Sequence, residues 1–254
     1  MIIDTHCHLY LEEFQRDIYD MMARASKEGV EKFYLPSIDS KSISDMLKLE
    51  EQFEGLCYPM MGLHPCSVSE NYVEELRIVE DWLGKKKFFA VGEIGLDFYW
   101  SRSFEQQQYS AFHQQIEWAL RFGLPIVIHS RNSTRECIDI VKGHQDGRLK
   151  GIFHCFSGDH ELAMEVIATG FYLGIGGVIT FKNAGLAEAL KDVPLENMVL
   201  ETDAPYLAPV PFRGKRNESS YLKYIVDKLA AVKQVSKEEV EAVTTANAEK
   251  IFGS

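Results

Sequence analysis

The sequence predicts an α/β fold of the (β/α)8 TIM-barrel type. Eight short apolar runs rich in Ile, Val, Phe and Tyr recur along the 254 residues, and most are too short for a typical helix. The stretches between the runs have helical periodicity. Histidines and carboxylates gather at the carboxyl ends of the runs, which is where barrel enzymes place their sites. A doubly wound open sheet is the competing interpretation, and the position of these polar residues favours the barrel.

The predicted strands are the apolar runs themselves. They lie at residues 2–5, 33–38, 57–63, 88–96, 125–129, 151–156, 171–178 and 198–203. Continuous apolar runs of this length are typical of strands in a parallel sheet that is covered on both faces. The sequence therefore predicts eight parallel strands.

The predicted helices fill the intervals. Phe14, Ile18 and Met21 lie on one helical face in the first interval. The same periodicity recurs in three later stretches, at 112–120, 162–167 and 222–232. Ser236 and Glu239 form a capping box, which predicts the start of a final helix. Strand and helix thus alternate throughout, as in a barrel.

Composition narrows the class of protein. A hydrophobic content of 46% over 254 residues suits one domain spanning 1–254 with ample core. No stretch is long enough to span a membrane, and the N-terminal segment predicts a strand and not a signal peptide. Five scattered cysteines without a C-x-x-C pair favour a reducing cytoplasm. A net charge of -11 argues against broad electrostatic attraction to nucleic acid, although a local basic or metal-filled cleft is compatible with it.

The first strand ends in two residues that are suited to metal binding. His6 and His8 are two apart, so on a strand both imidazoles point to the same face. Such a pair can bind a divalent metal through one neutral nitrogen of each ring. The alternative is a pair of ordinary polar residues near a strand tip, and later strands favour the metal.

Six residues of metal-ligand type lie within, at the end of or directly after the predicted strands. They are His6, His8, Glu93, His129, His154 and Asp203. Six ligands exceed the three or four that one catalytic zinc takes from protein, whereas two ions with a shared carboxylate use them all. Glu93, from a middle strand, is the expected bridge. His6, His8 and Asp203 would complete one site and His129 with His154 the other, because strands 1 and 8 are neighbours in a closed barrel. Histidine and carboxylate together suit Zn²⁺, Mn²⁺ or iron as well as Mg²⁺, and four histidines are unusual for Mg²⁺ alone. The ions expected are Mg²⁺, Zn²⁺ or Mn²⁺.

Several motifs also resemble those of the TatD family of metal-dependent hydrolases, within the amidohydrolase-like barrels. They are Asp-Thr-His-Cys-His at 4–8, Gly-Leu-His-Pro at 62–65, Gly-Glu-Ile-Gly-Leu-Asp-Phe-Tyr-Trp at 92–100, His-Cys-Phe-Ser-Gly at 154–158, Glu-Thr-Asp-Ala-Pro-Tyr-Leu at 201–207 and Arg-Gly-Lys-Arg-Asn-Glu at 213–218. The resemblance implies divalent metals at the six positions above and 3′–5′ exodeoxyribonuclease activity. Two departures from the family pattern concern the substrate rim: Phe212 stands where histidine is common, and Asn132 where aspartate is common.

The chemical hypothesis is hydrolysis of a phosphodiester by metal-activated water. Asp203 is the predicted proton acceptor, and Glu93 is the second catalytic carboxylate because it bridges the metals. Glu201 shares the strand face of Asp203 and either supports the site or forms a salt bridge in the barrel core. The expected substrate is a single-stranded or frayed DNA end.

Four further residues are predicted to contact this substrate. They are His64, Arg131, Arg213 and Tyr206. For His64 the alternative is a loop histidine, and for Arg131 it is a surface salt bridge. Arg213 belongs to a basic cluster that favours an anionic ligand but would also suit a solvated face. Tyr206, like the aromatic residues at 98–100, either stacks on bases or packs loops together.

Two other functions compete with the nuclease. The same centre would activate water against an ester or amide, for instance in a D-aminoacyl-tRNA deacylase. A metal-dependent binding protein without turnover is the third interpretation, and the intact set of six ligands makes it the weakest. The sequence does not indicate an oligomeric state.

Overall fold

The computed structural model describes residues 1–253, and eight parallel strands form its centre. In chain order they are β1 (Ile2–Asp4), β2 (Val30–Pro36), β3 (Cys57–Met60), β4 (Val91–Asp97), β5 (Ile126–Arg131), β6 (Gly151–Phe153), β7 (Tyr172–Ile175) and β8 (Met198–Leu200). Each falls on or overlaps one of the apolar runs. The prediction of eight parallel strands is confirmed.

A helix follows every strand. These helices are α1 (Ile18–Lys27), α2 (Ile43–Gln52), α3 (Tyr72–Lys85), α4 (Glu105–Phe122), α5 (Thr134–His144), α6 (His160–Ala168), α7 (Leu186–Ala189), α8 (Leu222–Lys233) and α9 (Lys237–Phe252). The Ser236 hydroxyl accepts a hydrogen bond from the Glu239 backbone N–H at 3.1 Å, so the predicted capping residue does begin α9. None of the helices in residues 1–253 is both long and apolar enough to cross a membrane.

The strands are paired in chain order and the ring is completed at two junctions. β1 to β3 form one sheet and β4 to β8 another. Met61 and Val91 make a parallel bridge between β3 and β4, and Cys7 and Ala204 make one between the ends of β1 and β8. The His8 backbone N–H donates to the Ala204 carbonyl at 2.7 Å. These contacts bring the first and last strands together, as in a barrel.

The barrel interior has its own apolar cluster. It takes a side chain from each of seven strands and Ala90 from just before β4, and it includes Ile3, Tyr34, Met60, Val127, Ile152, Tyr172 and Val199. Phe252 at the end of α9 stacks on Tyr34 with ring centroids 3.8 Å apart. The last helix therefore packs against the interior cluster, and the larger apolar cluster joins strands to the other helices.

Candidate metal centre

Four of the six candidate ligands follow the carboxyl end of a strand, and the other two lie within strands. His6 and His8 follow β1, His154 follows β6, and Asp203 follows β8. Glu93 lies within β4 and His129 lies within β5, and these two strands are neighbours in the ring. Because the strands are parallel, their carboxyl ends share one side of the barrel. The structure thus brings residues from both ends of the sequence into one cluster.

Glu93 lies at the centre of the cluster, and its two oxygens face different histidines. Oε2 is 3.1 Å from His6 Nε2 and 3.6 Å from His8 Nε2. Oε1 is 2.8 Å from His129 Nδ1 and 3.1 Å from His154 Nε2. This is the arrangement expected of a carboxylate that bridges two cations.

A local irregularity in β4 exposes Glu93 to the cluster. The pairing with β5 shifts register between Gly92 and Ile94, so Glu93 lies at a bulge. A bulge re-aims one side chain without ending the strand. At Gly95 the backbone φ is 139°, and a Cβ there would lie 2.1 Å from the His129 carbonyl oxygen. Glycine at 95 therefore lets β4 approach β5 closely beside the site.

Asp203 joins the half of the cluster that contains the first two histidines. Its Oδ1 is 3.8 Å from His6 Nε2 and 3.6 Å from His8 Nε2. The Asp203 backbone N–H donates to the His6 carbonyl at 2.9 Å, which holds the two segments together. The ligand atoms of these three residues all lie within 4.8 Å of one another.

The orientation of His8 is set by a tyrosine that the sequence interpretation overlooked. The Tyr10 hydroxyl donates to the Pro36 carbonyl at 2.6 Å, so its oxygen is available to accept from His8 Nδ1 at 2.9 Å. A neutral His8 then carries its hydrogen on Nδ1 and presents an unprotonated Nε2 to Glu93 and Asp203.

Two further carboxylates support the other histidines. Asp97 Oδ2 accepts from His129 Nε2 at 2.8 Å, which leaves Nδ1 of that ring facing Glu93. Glu201 Oε1 is 3.2 Å from His154 Nδ1 and also accepts from the Cys155 backbone N–H. Of the two alternatives for Glu201, this contact with a candidate ligand corresponds to support of the site and not to a separate salt bridge in the barrel core. The sequence analysis assigned no role to Asp97, although this residue belongs to the motif at 92–100. Asp97 comes four residues after Glu93, and on a strand this spacing places both side chains on the same face, which could have identified Asp97 as part of the site.

Charge in the buried cluster is balanced among its members. Burial alone would raise the pKa of Glu93, but the neighbouring histidines outweigh burial and lower it well below its usual range. Burial would lower the pKa of His8, yet hydrogen bonds to Asp203 and Glu93 raise it to about 9. For His154 the carboxylates Glu93 and Glu201 likewise overcome burial and raise the pKa. The cluster therefore favours extra positive charge at its centre.

The residues present fit divalent cations. Ligand atoms about 2.0–2.2 Å from one tetrahedral ion lie roughly 3.3–3.6 Å apart, close to the separations described above. The inward-facing atoms are carboxylate oxygens and imidazole nitrogens, whose lone pairs repel unless protons or a cation lie between them. In addition, His6 Nδ1 is buried and has no hydrogen-bond partner in residues 1–253. Of the two ring nitrogens of His6, only Nε2 therefore contacts a polar group, namely the carboxylates of Glu93 and Asp203.

Of the residues predicted to contact substrate, His64 lies nearest to these ligands. Its Nε2 is 3.3 Å from Glu93 Oε1 and 3.3 Å from His129 Nδ1. Its Nδ1 accepts from the Cys66 backbone N–H at 3.0 Å, so a neutral ring carries its hydrogen on Nε2. Burial lowers the pKa of His64, which favours this neutral form.

The other three predicted contact residues lie at the rim. Tyr206 is 49% exposed, with its ring centroid 6.2 Å from that of His8. The Arg131 guanidinium lies 3.7 Å from the Tyr99 ring centroid. Arg213 packs over Phe181 at 4.2 Å and, within residues 1–253, makes no contact with the histidine cluster.

The basic cluster on the loop after β8 consists of Arg213, Lys215 and Arg216, and part of it is engaged in ion pairs within the protein. Arg216 forms an ion pair with Asp17 at 2.6 Å and another with Glu218 at 3.5 Å.

The two departures from the family pattern are Phe212 and Asn132. Phe212 stacks on Tyr221 with ring centroids 4.2 Å apart and 7° between the planes. At the other departure, Asn132 has a positive φ of 57°, which asparagine tolerates better than most residues.

The whole chain also matches a known family. A family model described as TatD related DNase matches residues 3–253. The chain belongs to this family. Its TatD relatives include the uncharacterized metal-dependent hydrolase YabD of Bacillus subtilis, 37% identical over 253 residues and covered to 99% in both chains. They also include the deoxyribonuclease TATDN3 of Homo sapiens, 32% identical over 267 residues, with 99% of this chain and 94% of that one covered.

Solved structures agree with the TatD assignment. The TatD homologue YjjV of Escherichia coli has a TM-score of 0.91, with 28% identity, and covers 100% of this chain and 98% of its own. The predicted fold class, the TatD resemblance and the assignment as a hydrolytic enzyme are confirmed. The relative YabD is named a metal-dependent hydrolase. In this chain the group of His6, His8 and Asp203 and the group of His6, Glu93 and His154 are candidate metal sites.

Proposed function

We propose that this TatD-family hydrolase is a two-metal phosphodiesterase that removes nucleotides from the 3′ end of single-stranded or frayed DNA. The observation that carries the proposal is the division of Glu93 between two groups of histidines. Oε2 faces His6 and His8, whereas Oε1 faces His129, His154 and His64. Two cations side by side are the common means of stabilising both the attacking and the leaving oxygen of a phosphodiester. The name of the human relative supports DNA as the substrate.

The ligand assignment follows the contacts. His6, His8 and Asp203 with Glu93 Oε2 would hold one ion, and His129 and His154 with Glu93 Oε1 the other. Mg²⁺, Mn²⁺ or Zn²⁺ bound here would lower the pKa of water and neutralise charge on the phosphoryl group.

Asp203 is the proposed proton acceptor. Burial by itself would raise its pKa, but the hydrogen bond with His8 and the charges of His154 and His6 outweigh burial and lower it. The side chain is 15% exposed, more than that of Glu93, so Asp203 can meet water at the mouth while still contacting the cluster. It therefore orients the attacking water and takes its proton at Oδ2, the oxygen that does not face His6 and His8.

His64 supplies a hydrogen-bond donor that carries no net charge. Its Nε2–H points toward the same side of the cluster as Glu93 Oε1, with the Cys66 backbone fixing the tautomer. A donor held in this way suits a non-bridging phosphoryl oxygen, because the bond strengthens as negative charge develops there. Arg131 and Tyr206 on the rim would contact the nucleotides next to the cleaved bond.

The test is hydrolysis of end-labelled single-stranded DNA by metal-stripped protein, with Mg²⁺, Mn²⁺ and Zn²⁺ restored one at a time. We expect stepwise shortening of 5′-labelled strands with at least one metal and none with Glu93→Gln, which keeps the side-chain size but cannot bridge two cations. Asp45→Asn, on the exposed face of α2, is the matched control and should remain active. Failure to shorten DNA with any metal, together with hydrolysis of an aminoacyl ester, would replace the nuclease with the deacylase.

A further inference from the structure

The loop after β4 holds two exposed aromatic side chains beside the candidate centre. Trp100 is 70% exposed and Tyr99 is 52% exposed. The two rings meet edge to face, with centroids 4.9 Å apart and 85° between the planes. Because the two rings adjoin, together they leave one contiguous apolar surface in water beside the candidate centre, and such contiguous patches can mark binding sites.

Asp97 fixes this aromatic pair relative to the centre. Its Oδ1 accepts from the backbone N–H of Tyr99 at 2.9 Å and of Trp100 at 3.2 Å. Its Oδ2 accepts from His129, as described above. Asp97 is 1% exposed, so one buried carboxylate connects a candidate metal ligand with the backbone that carries both rings. The rings are thus held on the rim by the same group that orients the site.

Arg131 adds a cation to this surface. Its guanidinium lies 3.7 Å from the Tyr99 ring centroid and 5.4 Å from that of Trp100. Throughout residues 1–253 no carboxylate oxygen lies within 4.0 Å of the Arg131 guanidinium. A planar cation stacked on one ring keeps its N–H edges free for an anion such as phosphate.

We propose that Trp100 and Arg131, supported by Tyr99, form a nucleotide subsite next to the cleavage centre. The face of Trp100 stacks on an unpaired base, and the Arg131 edge binds the adjoining phosphate. This proposal rests on the phosphodiesterase function proposed above and adds to it a requirement for a splayed, unpaired base. Stacking of this kind accepts any base, so the subsite selects single-stranded ends and not a sequence.

The experiment measures binding without turnover. Protein in excess EDTA is titrated with hexathymidylate and, separately, with a hexamer of abasic tetrahydrofuran sites that has the same phosphates. Tryptophan fluorescence is the signal, recorded in a Trp82→Phe background to remove the other partly exposed indole. We expect quenching by hexathymidylate and little quenching by the abasic hexamer. Trp100→Leu should weaken hexathymidylate binding about 10-fold by anisotropy, whereas Trp100→Phe restores most of it.

Arg131 has a separate signature. Arg131→Gln should weaken both hexamers by a similar factor, about 3- to 10-fold, because both carry the phosphates. Tyr19→Leu, a change at an exposed tyrosine on α1 remote from this loop, should alter neither. Equal binding of both hexamers to the parent protein, or unchanged affinity in Trp100→Leu, would overturn the subsite.

The proposed function and the subsite fail in different ways. If metal-loaded protein shortens DNA and Trp100→Leu has the parent KM, the subsite is wrong and the nuclease stands. If hexathymidylate quenches Trp100 in EDTA but no metal restores hydrolysis, the subsite stands and the proposed reaction is wrong. The abasic comparison decides the first question and the metal series the second.

Discussion

Asp97 and His129 are joined through the ring nitrogen that faces away from the bridging glutamate: Oδ2 of Asp97 lies 2.8 Å from His129 Nε2, while His129 Nδ1 lies 2.8 Å from Glu93 Oε1. The aspartate therefore decides which nitrogen is offered to the cluster. The first two predictions concern carboxylates that contact a candidate ligand histidine, namely Asp97 beside His129 and Glu201 beside His154.

Replacing Asp97 by Asn should weaken one of the two proposed metal sites. The uncharged amide is a poorer acceptor for His129, and changes at such supporting partners typically cost about 10- to 100-fold in metal affinity. Calorimetric titration of stripped protein with Mn²⁺ or Zn²⁺ should show one class of site weakened by that factor and the other nearly unchanged. Asp45→Asn serves as the control. Parent-like affinity at both sites would show that His129 does not depend on Asp97.

Adding one methyl group at Gly174 should disturb the partner of His154. A Cβ at this position would lie 2.2 Å from Glu201 Oε2 and 3.1 Å from the His154 Cα. Gly174→Ala is therefore expected to push the Glu201 carboxylate away from His154 and to lower kcat at least 10-fold. Gly143→Ala on α5 has nothing within 4 Å of the added atom and should keep full activity. An active Gly174→Ala enzyme would mean that Glu201 is not required to orient His154.

Tyr10→Phe tests the orientation of His8 from the opposite half of the centre. The change removes the acceptor for His8 Nδ1 and the donor to the Pro36 carbonyl. We expect a loss of about 1–2 kcal/mol in the free energy of unfolding and about 10-fold weaker metal binding. Urea denaturation and metal titration measure the two effects. Tyr58→Phe removes one exposed hydroxyl that bonds to Gly55, and it should affect neither.

Chelation should lower thermal stability because the cluster loses its positive centre. A ligand that binds only the folded state at 100 times its Kd stabilises by about 2.7 kcal/mol. The melting temperature should therefore fall by several degrees in EDTA and recover with added metal. In Glu93→Gln the metal-dependent part of the shift should largely vanish. A melting temperature that does not respond to metal in the parent protein would contradict the assignment of the cluster.

Asp4 gives a prediction for pH. It is fully buried, where it accepts from the Thr202 and Ser219 hydroxyls at 2.6 Å each. Burial raises the pKa of Asp4 to about 6, above its unfolded value of 3.8. The folded state therefore holds this proton more tightly, and the associated stability is present below pH 4 and lost as pH rises through 6. The scale is roughly 3 kcal/mol.

The prediction for Asp4 is tested by the difference in unfolding free energy between the parent protein and Asp4→Asn as pH changes. Urea unfolding of the parent and of Asp4→Asn, both in EDTA, should show the parent losing stability relative to the variant between pH 4 and pH 7. Asp45→Asn, whose carboxyl is on the surface, should track the parent across this range. A constant difference between the parent and Asp4→Asn would mean that Asp4 titrates as an ordinary exposed carboxyl.

Much of the fold was predictable because its signals are local and repeated. Each buried strand is an apolar run, and Ser236 with Glu239 marks a helix start through contacts three residues apart. The clustering of His6 with Asp203 was also predictable, since a closed barrel makes its first and last strands neighbours. Sequence periodicity, together with the position of the polar residues near the ends of the strands, was enough for these inferences.

The supporting contacts were not predictable for a physical reason. Whether Tyr10 reaches Pro36, or Asp97 reaches His129, depends on side-chain direction and on distances between strands, which no periodicity encodes. The bulge at Glu93 is a shift of a single residue between strands. The ion pair between Arg216 and Asp17 was likewise not predictable, because the two residues are about 200 positions apart in the sequence. From the sequence alone, Arg216 could equally belong to a solvated basic cluster.

The bridge between Cys7 and Ala204 has a consequence for synthesis. Asp203 reaches His6 only when this junction forms, so a nascent chain contains five of the six candidate ligands before the sixth has been made. At usual translation rates Asp203 follows His6 by about 10–40 s and His154 by about 2–10 s. A product that stalls or is truncated before residue 203 therefore cannot assemble the whole of the proposed centre.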